Sequence, residues 1–170
     1  MNDVTVNLYV IDNQPDYLPG MLATLKEHLS IREYTFPNGE AFVQYLNRRH
    51  LSKQVIHIAL IAYQFSSPAS NIMNGLELLE IITHSTPLIS CIMLAKNSEL
   101  EFSATTISAG ALAVVPRSPT VGMRIINIVL RHASQLRISI RKRQLTILLI
   151  WLSSFVFLFT ISTSIFMLMS

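Results

Sequence analysis

The sequence predicts an α/β chain with a five-stranded parallel sheet covered on both faces. Strand-like and helix-like patterns alternate five times through the first 134 residues. The strand-like runs are almost continuously apolar, which suits strands buried on both faces rather than one. Turn signals separate the runs, among them Pro37-Asn38-Gly39 and Pro116-Arg117-Ser118-Pro119.

In chain order, Val4–Val10 is apolar and β-branched and reads as a strand ending at Asp12. Tyr17–Leu29 carries Leu18, Met21, Leu22, Leu25 and Leu29 at helical spacing. Ile31–Phe36 is a short strand, and Ala41–Arg49 a helix with Phe42, Tyr45 and Leu46 on one side. Val55–Ile61 is a second buried strand, followed by a polar, Pro-containing loop over Ser66–Asn74. Leu76–Ile82 reads as helix, Leu88–Leu94 as strand, and Glu99–Ala109 as a helix stopped by Gly110. Leu112–Val115 is the last strand and Val121–Leu136 the last amphipathic helix. In such a fold chemistry gathers at the carboxyl ends of the strands. Here those ends are Asp12-Asn13, Ala62, Ala95 and Pro116-Arg117.

Charge is unevenly spread. Residues 1–136 hold nine Lys/Arg against ten Asp/Glu, and residues 137–170 hold Arg137, Arg141, Lys142 and Arg143 with no acid. The basic balance is therefore local to the end of the chain, and a nucleic-acid-binding face on the globular part is not expected. From Leu145 to Met169 no residue is charged. Those 25 residues would span about 37 Å as a helix, more than the roughly 30 Å hydrocarbon core. The expected organisation is a globular domain over 1–136, a basic juxtamembrane linker over 137–144 and one transmembrane helix over 145–169. The four basic residues would orient that helix, placing the domain on the cytoplasmic side of a single-pass inner-membrane protein. The amino terminus has no basic region before an apolar core and does not read as a secretory signal. The single cysteine, Cys91, lies in an apolar run and reads as an inert buried thiol. His28, His50, His57, His84 and His132 show no metal-ligand spacing.

The order and spacing of four short motifs resemble the receiver domains of bacterial two-component response regulators. Val10-Ile11-Asp12-Asn13-Gln14-Pro15 is similar to the acidic end of that family's first strand. Asn74-Gly75-Leu76-Glu77-Leu78-Leu79 is similar to its Asp-Gly-hydrophobic helix start, Ser108-Ala109-Gly110-Ala111 to its Ala-Gly-Ala turn, and Val115-Pro116-Arg117-Ser118-Pro119 to its Pro-Lys-Pro ending. The resemblance implies the flavodoxin-like (βα)5 fold. It also implies a site where a carboxylate nucleophile, acidic Mg²⁺ ligands, a hydroxyl and a lysine carry out phosphotransfer.

At those positions this chain departs from the pattern. Asp12 matches the first acid, but Asn13 stands where the second belongs. The nucleophile position is Ala62, the hydroxyl position Ala95 and the lysine position Arg117. An alanine cannot accept a phosphoryl group, so the resemblance implies a receiver without its chemistry and without a catalytic role. No cofactor or metal is expected, since one carboxylate supplies few of the ligands Mg²⁺ takes. Arg117 either binds an anion or pairs with Asp12 across the emptied pocket, and the pair is favoured.

Within the family, the loop after Ala62 resembles auxiliary regulators of the NarL/FixJ class, partners of RcsB in particular, some of which have also lost the phosphoacceptor and act by heterodimerising. The expected function is thus a membrane-tethered interaction module in signal transduction, bound to itself or to another response regulator. Its docking face would be the fourth helix, fifth strand and fifth helix, with Val121, Ile125, Ile126, Ile128 and Val129 supplying apolar surface. The alternative is a truncated or frameshifted NarL/FixJ-type transcription regulator that keeps only the receiver. Residues 138–145 resemble the start of the helix-turn-helix of that class, but direct DNA binding is not expected from the apolar residues that follow.

Overall fold

The computed structural model describes residues 5–65, 73–96 and 102–169, with side chains outside the description at 140–141 and 155–169. Ten elements alternate as predicted. They are β1 (Thr5–Ile11), α1 (Leu18–His28), β2 (Ser30–Phe36), α2 (Gly39–Asn47), β3 (Ile56–Ala62), α3 (Gly75–Ser85), β4 (Ile89–Ala95), α4 (Ser103–Ser108), β5 (Ala113–Pro116) and α5 (Val121–Met169). All pairings are parallel, in the order β2-β1-β3-β4-β5. The order reverses between β1 and β3, so the crevice at their carboxyl ends is the topological switch point.

Burial follows the apolar runs. Every residue of β3 is buried, and six of seven in β4, whereas β2 alternates exposed with half-buried residues at the sheet edge. One sheet face packs Tyr9, Ile11, Ala59, Ile61, Cys91 and Met93 against Phe42 of α2 and Leu78, Leu79 and Ile82 of α3. By strand alternation Leu8, Val10, Ile58, Leu60, Ile92 and Leu94 take the opposite face. Met21, Leu22 and Leu25 of α1 and Ile125, Val129 and Ala133 of α5 are buried in their turn. Cys91 is 2% exposed, and burial pushes its thiol pKa up to about 12, as an inert core thiol requires.

Two buried polar groups are satisfied within this core. His57 of β3 stacks on Tyr9, whose hydroxyl lies 3.0 Å from Nδ1, while Nε2 lies 3.1 Å from Ser52 O. The carbonyl can only accept, so Nε2 carries the proton and Tyr9 donates to Nδ1. Burial lowers the His57 pKa, against a smaller raising effect from Ser52, and burial also lowers that of His132, which meets Ser90 Oγ at 2.6 Å. The unfolded chain binds protons on both histidines below about pH 6.5 where the folded one does not. Stability is therefore full above that pH and falls as pH drops, by at most about 1.4 kcal/mol per unit for each group. Denaturant titrations from pH 7.5 to 5 should show this loss, with a shallower slope in His57→Gln.

The end of the chain departs from expectation. Among the described residues no helix is long and apolar enough to cross a membrane. This overturns the transmembrane segment over 145–169 and the single-pass inner-membrane placement built on it. Side chains of the expected segment are described from Leu145 to Ser154, and those of 155–169 lie outside the described residues. Lys142 and Arg143 precede Leu145 in the same helix, with Gln144 between. Orientation by Arg137, Lys142 and Arg143 has no span to act on among the described residues, and the Arg141 side chain lies outside them. The 137–144 stretch is helical throughout, and the compact units divide at Ala133/Ser134.

Candidate functional site

At the switch point the chain leaves β1 at Asp12, whose side chain is fully buried. Its backbone N–H still donates to Phe36 O at 3.2 Å, fixing it to the end of β2. Oδ1 accepts from Gln14 N at 3.0 Å, a short-range turn that an aspartate readily forms. Oδ2 accepts from Arg117 Nη2 at 2.7 Å and from the Tyr17 hydroxyl at 3.2 Å. Arg117 is delivered by the end of β5, where its own N–H donates to Ala95 O at 2.8 Å, and its Nη1 reaches Gln14 O at 3.4 Å. The guanidinium thus ties the β5–α5 turn to the β1–α1 turn. Burial, with the negative charge of Asp12 beside it, pushes the Tyr17 pKa far up, so Tyr17 is a neutral donor.

Beside this pair, Ala62 closes β3 and Ala95 closes β4, both 0% exposed. Neighbouring Tyr63 stacks on Phe102 with ring centroids 6.2 Å apart. The start of α3 comes against β3 through Gly75 N–H, which donates to Tyr63 O at 2.9 Å.

No family model matches the sequence, and no curated protein matches it. Solved structures do. The receiver domain of NtrX from Brucella abortus superposes with a TM-score of 0.57, over 74% of this chain and 96% of that one, at 19% identity. The signal receiver domain of a putative Luxo repressor protein from Vibrio parahaemolyticus gives 0.61 over 78% and 93%, at 13% identity. The Salmonella typhimurium RcsB response regulator gives 0.57 over 78% of this chain and 61% of that one, at 17% identity. This chain has the receiver fold. Identities this low establish the shared architecture and nothing finer.

On that fold, Asp12, Ala62, Ala95 and Arg117 stand at the carboxyl ends of β1, β3, β4 and β5, the place where chemistry gathers in such sheets. Asn13 is exposed and makes other contacts. The Mg²⁺ of active receivers fits this arrangement poorly, because both Asp12 oxygens already accept protein hydrogen bonds, one from a guanidinium. Among the described residues no cluster of three His, Cys, Asp or Glu could hold a metal.

The partner-binding residues need correction. Val121, Ile125, Ile126 and Val129 are 7%, 0%, 6% and 0% exposed, so they face the chain's own core and cannot form a docking surface. Helical periodicity shows an apolar stripe but not which side of it is covered. The exposed apolar residues of this region are Phe102, Ile107, Leu112 and Met123, with Ile128 half-buried. Of the expected face, about Glu99–Leu136, residues 99–101 lie outside the described residues.

Sequence reasoning missed Tyr17 and Tyr63. Tyr17 lies five residues past Asp12, close enough to return across the turn, and that spacing is the one signal that could have found it.

Proposed function

We propose that this chain is a protein-interaction module for signal transduction, built on the receiver fold, that no aspartyl phosphorylation switches and that catalyses no reaction. One observation carries the reading. The strand end that would present a phosphoacceptor presents the buried methyl group of Ala62, and the remaining acid, Asp12, is closed by Arg117 at 2.7 Å. A guanidinium held there offsets the buried carboxylate that a metal ion would otherwise neutralise.

Incubating the full chain with acetyl phosphate and Mg²⁺, then measuring intact mass, should show no phosphoryl adduct. A hydroxylamine-labile adduct would refute the reading.

The docking face fits α4, β5 and the start of α5, through the exposed Phe102, Ile107, Leu112 and Met123. Beside them lies a cavity of about 260 Å³ lined by Val114, Pro116, Arg124, Ile128 and Arg131. The partner is a second copy or another response regulator. Met123→Glu replaces a side chain 63% exposed, so folding should be untouched. In-cell cross-linking should then fall about tenfold, the effect of one central interface residue. Unchanged cross-linking would place the contact elsewhere.

A further inference from the structure

At the opposite end of the sheet from Asp12, a cavity of about 640 Å³ opens between the ends of α2 and α3. Its size lies within the roughly 300–1,000 Å³ of small-molecule sites. Val43 and Leu46 of α2, Leu51, Ile81 of α3, and Leu88 make its apolar wall. Ile81 and Leu88 are 38% and 40% exposed, large hydrophobic groups left open to water. The rim is basic, with Arg49, His50 and Lys53 and no carboxylate in the lining.

The charges of Arg49 and Lys53 are not consumed internally. The ion pairs among the described residues are Lys26–Glu33 and Asp12–Arg117, neither of them here. Arg49 packs over the Tyr45 ring at 5.2 Å, which fixes its position and leaves its charge uncompensated. Arg48 and Arg49 directly follow α2, so the carbonyls of that helix end account for part of the positive charge. Lys53 lies beyond the reach of that effect, in the loop before β3, and the open apolar wall has no such explanation.

We propose that this cavity binds an amphiphilic anion, a single apolar chain with a carboxylate or phosphate head. The head would sit against Arg49, His50 and Lys53, and the chain along Leu46, Leu51, Ile81 and Leu88. An apolar wall with a few convergent charges is the arrangement that orients such a ligand. The site is separate from the Asp12 pocket and from the α4–β5–α5 face, so a ligand here would act on the module without competing at either.

The test uses the full chain with decanoate and decyl phosphate, each below its micellar concentration, and with decanol and decyltrimethylammonium as comparisons. Titration calorimetry should show saturable binding of the anions, either head identifying its class, and none of the cation. A diazirine-bearing decanoate should cross-link within residues 43–53 and 81–88. Arg49→Glu/Lys53→Glu should weaken binding about tenfold by replacing attraction with repulsion. Lys53→Glu alone, at an exposed position, should weaken it less and keep the parent's thermal melt. Equal binding of decanol, cross-links confined to 145–169, or affinity unchanged by charge reversal would each overturn the assignment. So would binding of an acidic amphipathic peptide where neither anion binds.

Discussion

Replacing Arg117 with alanine is expected to destabilise the chain by about 3 kcal/mol, because it strands a buried carboxylate. The Asp12 side chain is 0% exposed and that of Arg117 25%, so water cannot fully replace the guanidinium. Two weaker partners remain, Gln14 N at 3.0 Å and the Tyr17 hydroxyl at 3.2 Å, neither of them charged. Removing one member of such a pair costs more than removing both, since the penalty lies in the uncompensated charge. Asp12→Ala/Arg117→Ala should therefore be more stable than Arg117→Ala alone. Arg117→Lys should recover most of the loss, keeping the charge but giving up the reach to Gln14 O. Tyr17→Phe should cost only about 1 kcal/mol, one hydrogen bond. Thermal melts separate these outcomes, since about 3 kcal/mol corresponds to a drop of roughly 6–12 °C in a chain of this size. An Arg117→Ala melt within a degree or two of the parent would mean that the pair bears no structural weight.

The strands were legible in the sequence because burial on both sheet faces leaves runs such as residues 55–61 and 88–94 with almost nothing polar. Their carboxyl ends, and so Asp12, Ala62, Ala95 and Arg117, followed from the same runs to within a residue. Of the pairings across the fold only Asp12 with Arg117 was legible, because the resemblance placed both in one pocket. Tyr17 against Asp12, Tyr9 against His57 and the open wall at Ile81 and Leu88 depend on how elements pack, which no local pattern encodes. The same limit explains Val121, Ile125, Ile126 and Val129. An amphipathic stripe is equally visible whether it covers the chain's own sheet or awaits a partner. The apolar stretch after Arg143 read as a membrane span, and among the described residues no helix is long and apolar enough to be one.

Gly75→Ala should be at least as damaging, at about 3 kcal/mol or more. A methyl group built on Gly75 lands inside van der Waals contact of Ala62 O, and 3.0 Å from both Ala62 C and the Met93 methyl. The Met93 tip can swing away, but the backbone at Ala62 cannot easily follow. It ends the central strand β3, hydrogen-bonded to β4 in register, and Tyr63 N–H continues the ladder to Leu94 O at 2.8 Å. The start of α3 is equally fixed. Asn74 Oδ1 accepts from Glu77 N at 2.9 Å, and Glu77 returns a carboxylate to Asn74 N at 3.2 Å. Such a reciprocal cap is worth about 1 kcal/mol, so Asn74→Ala marks how much of the Gly75→Ala cost comes from loosening α3 alone. Helix propensity works the other way, since alanine is favoured over glycine by up to about 1 kcal/mol in a helix. Gly20 of α1 isolates that gain, because a methyl group there meets nothing within 4 Å. Gly20→Ala should thus be neutral or slightly stabilising in the same denaturant titration in which Gly75→Ala fails. If the two behave alike, the approach of α3 to the Ala62 strand end is looser than the geometry requires, and Ala62 could then be replaced by a larger side chain at little cost.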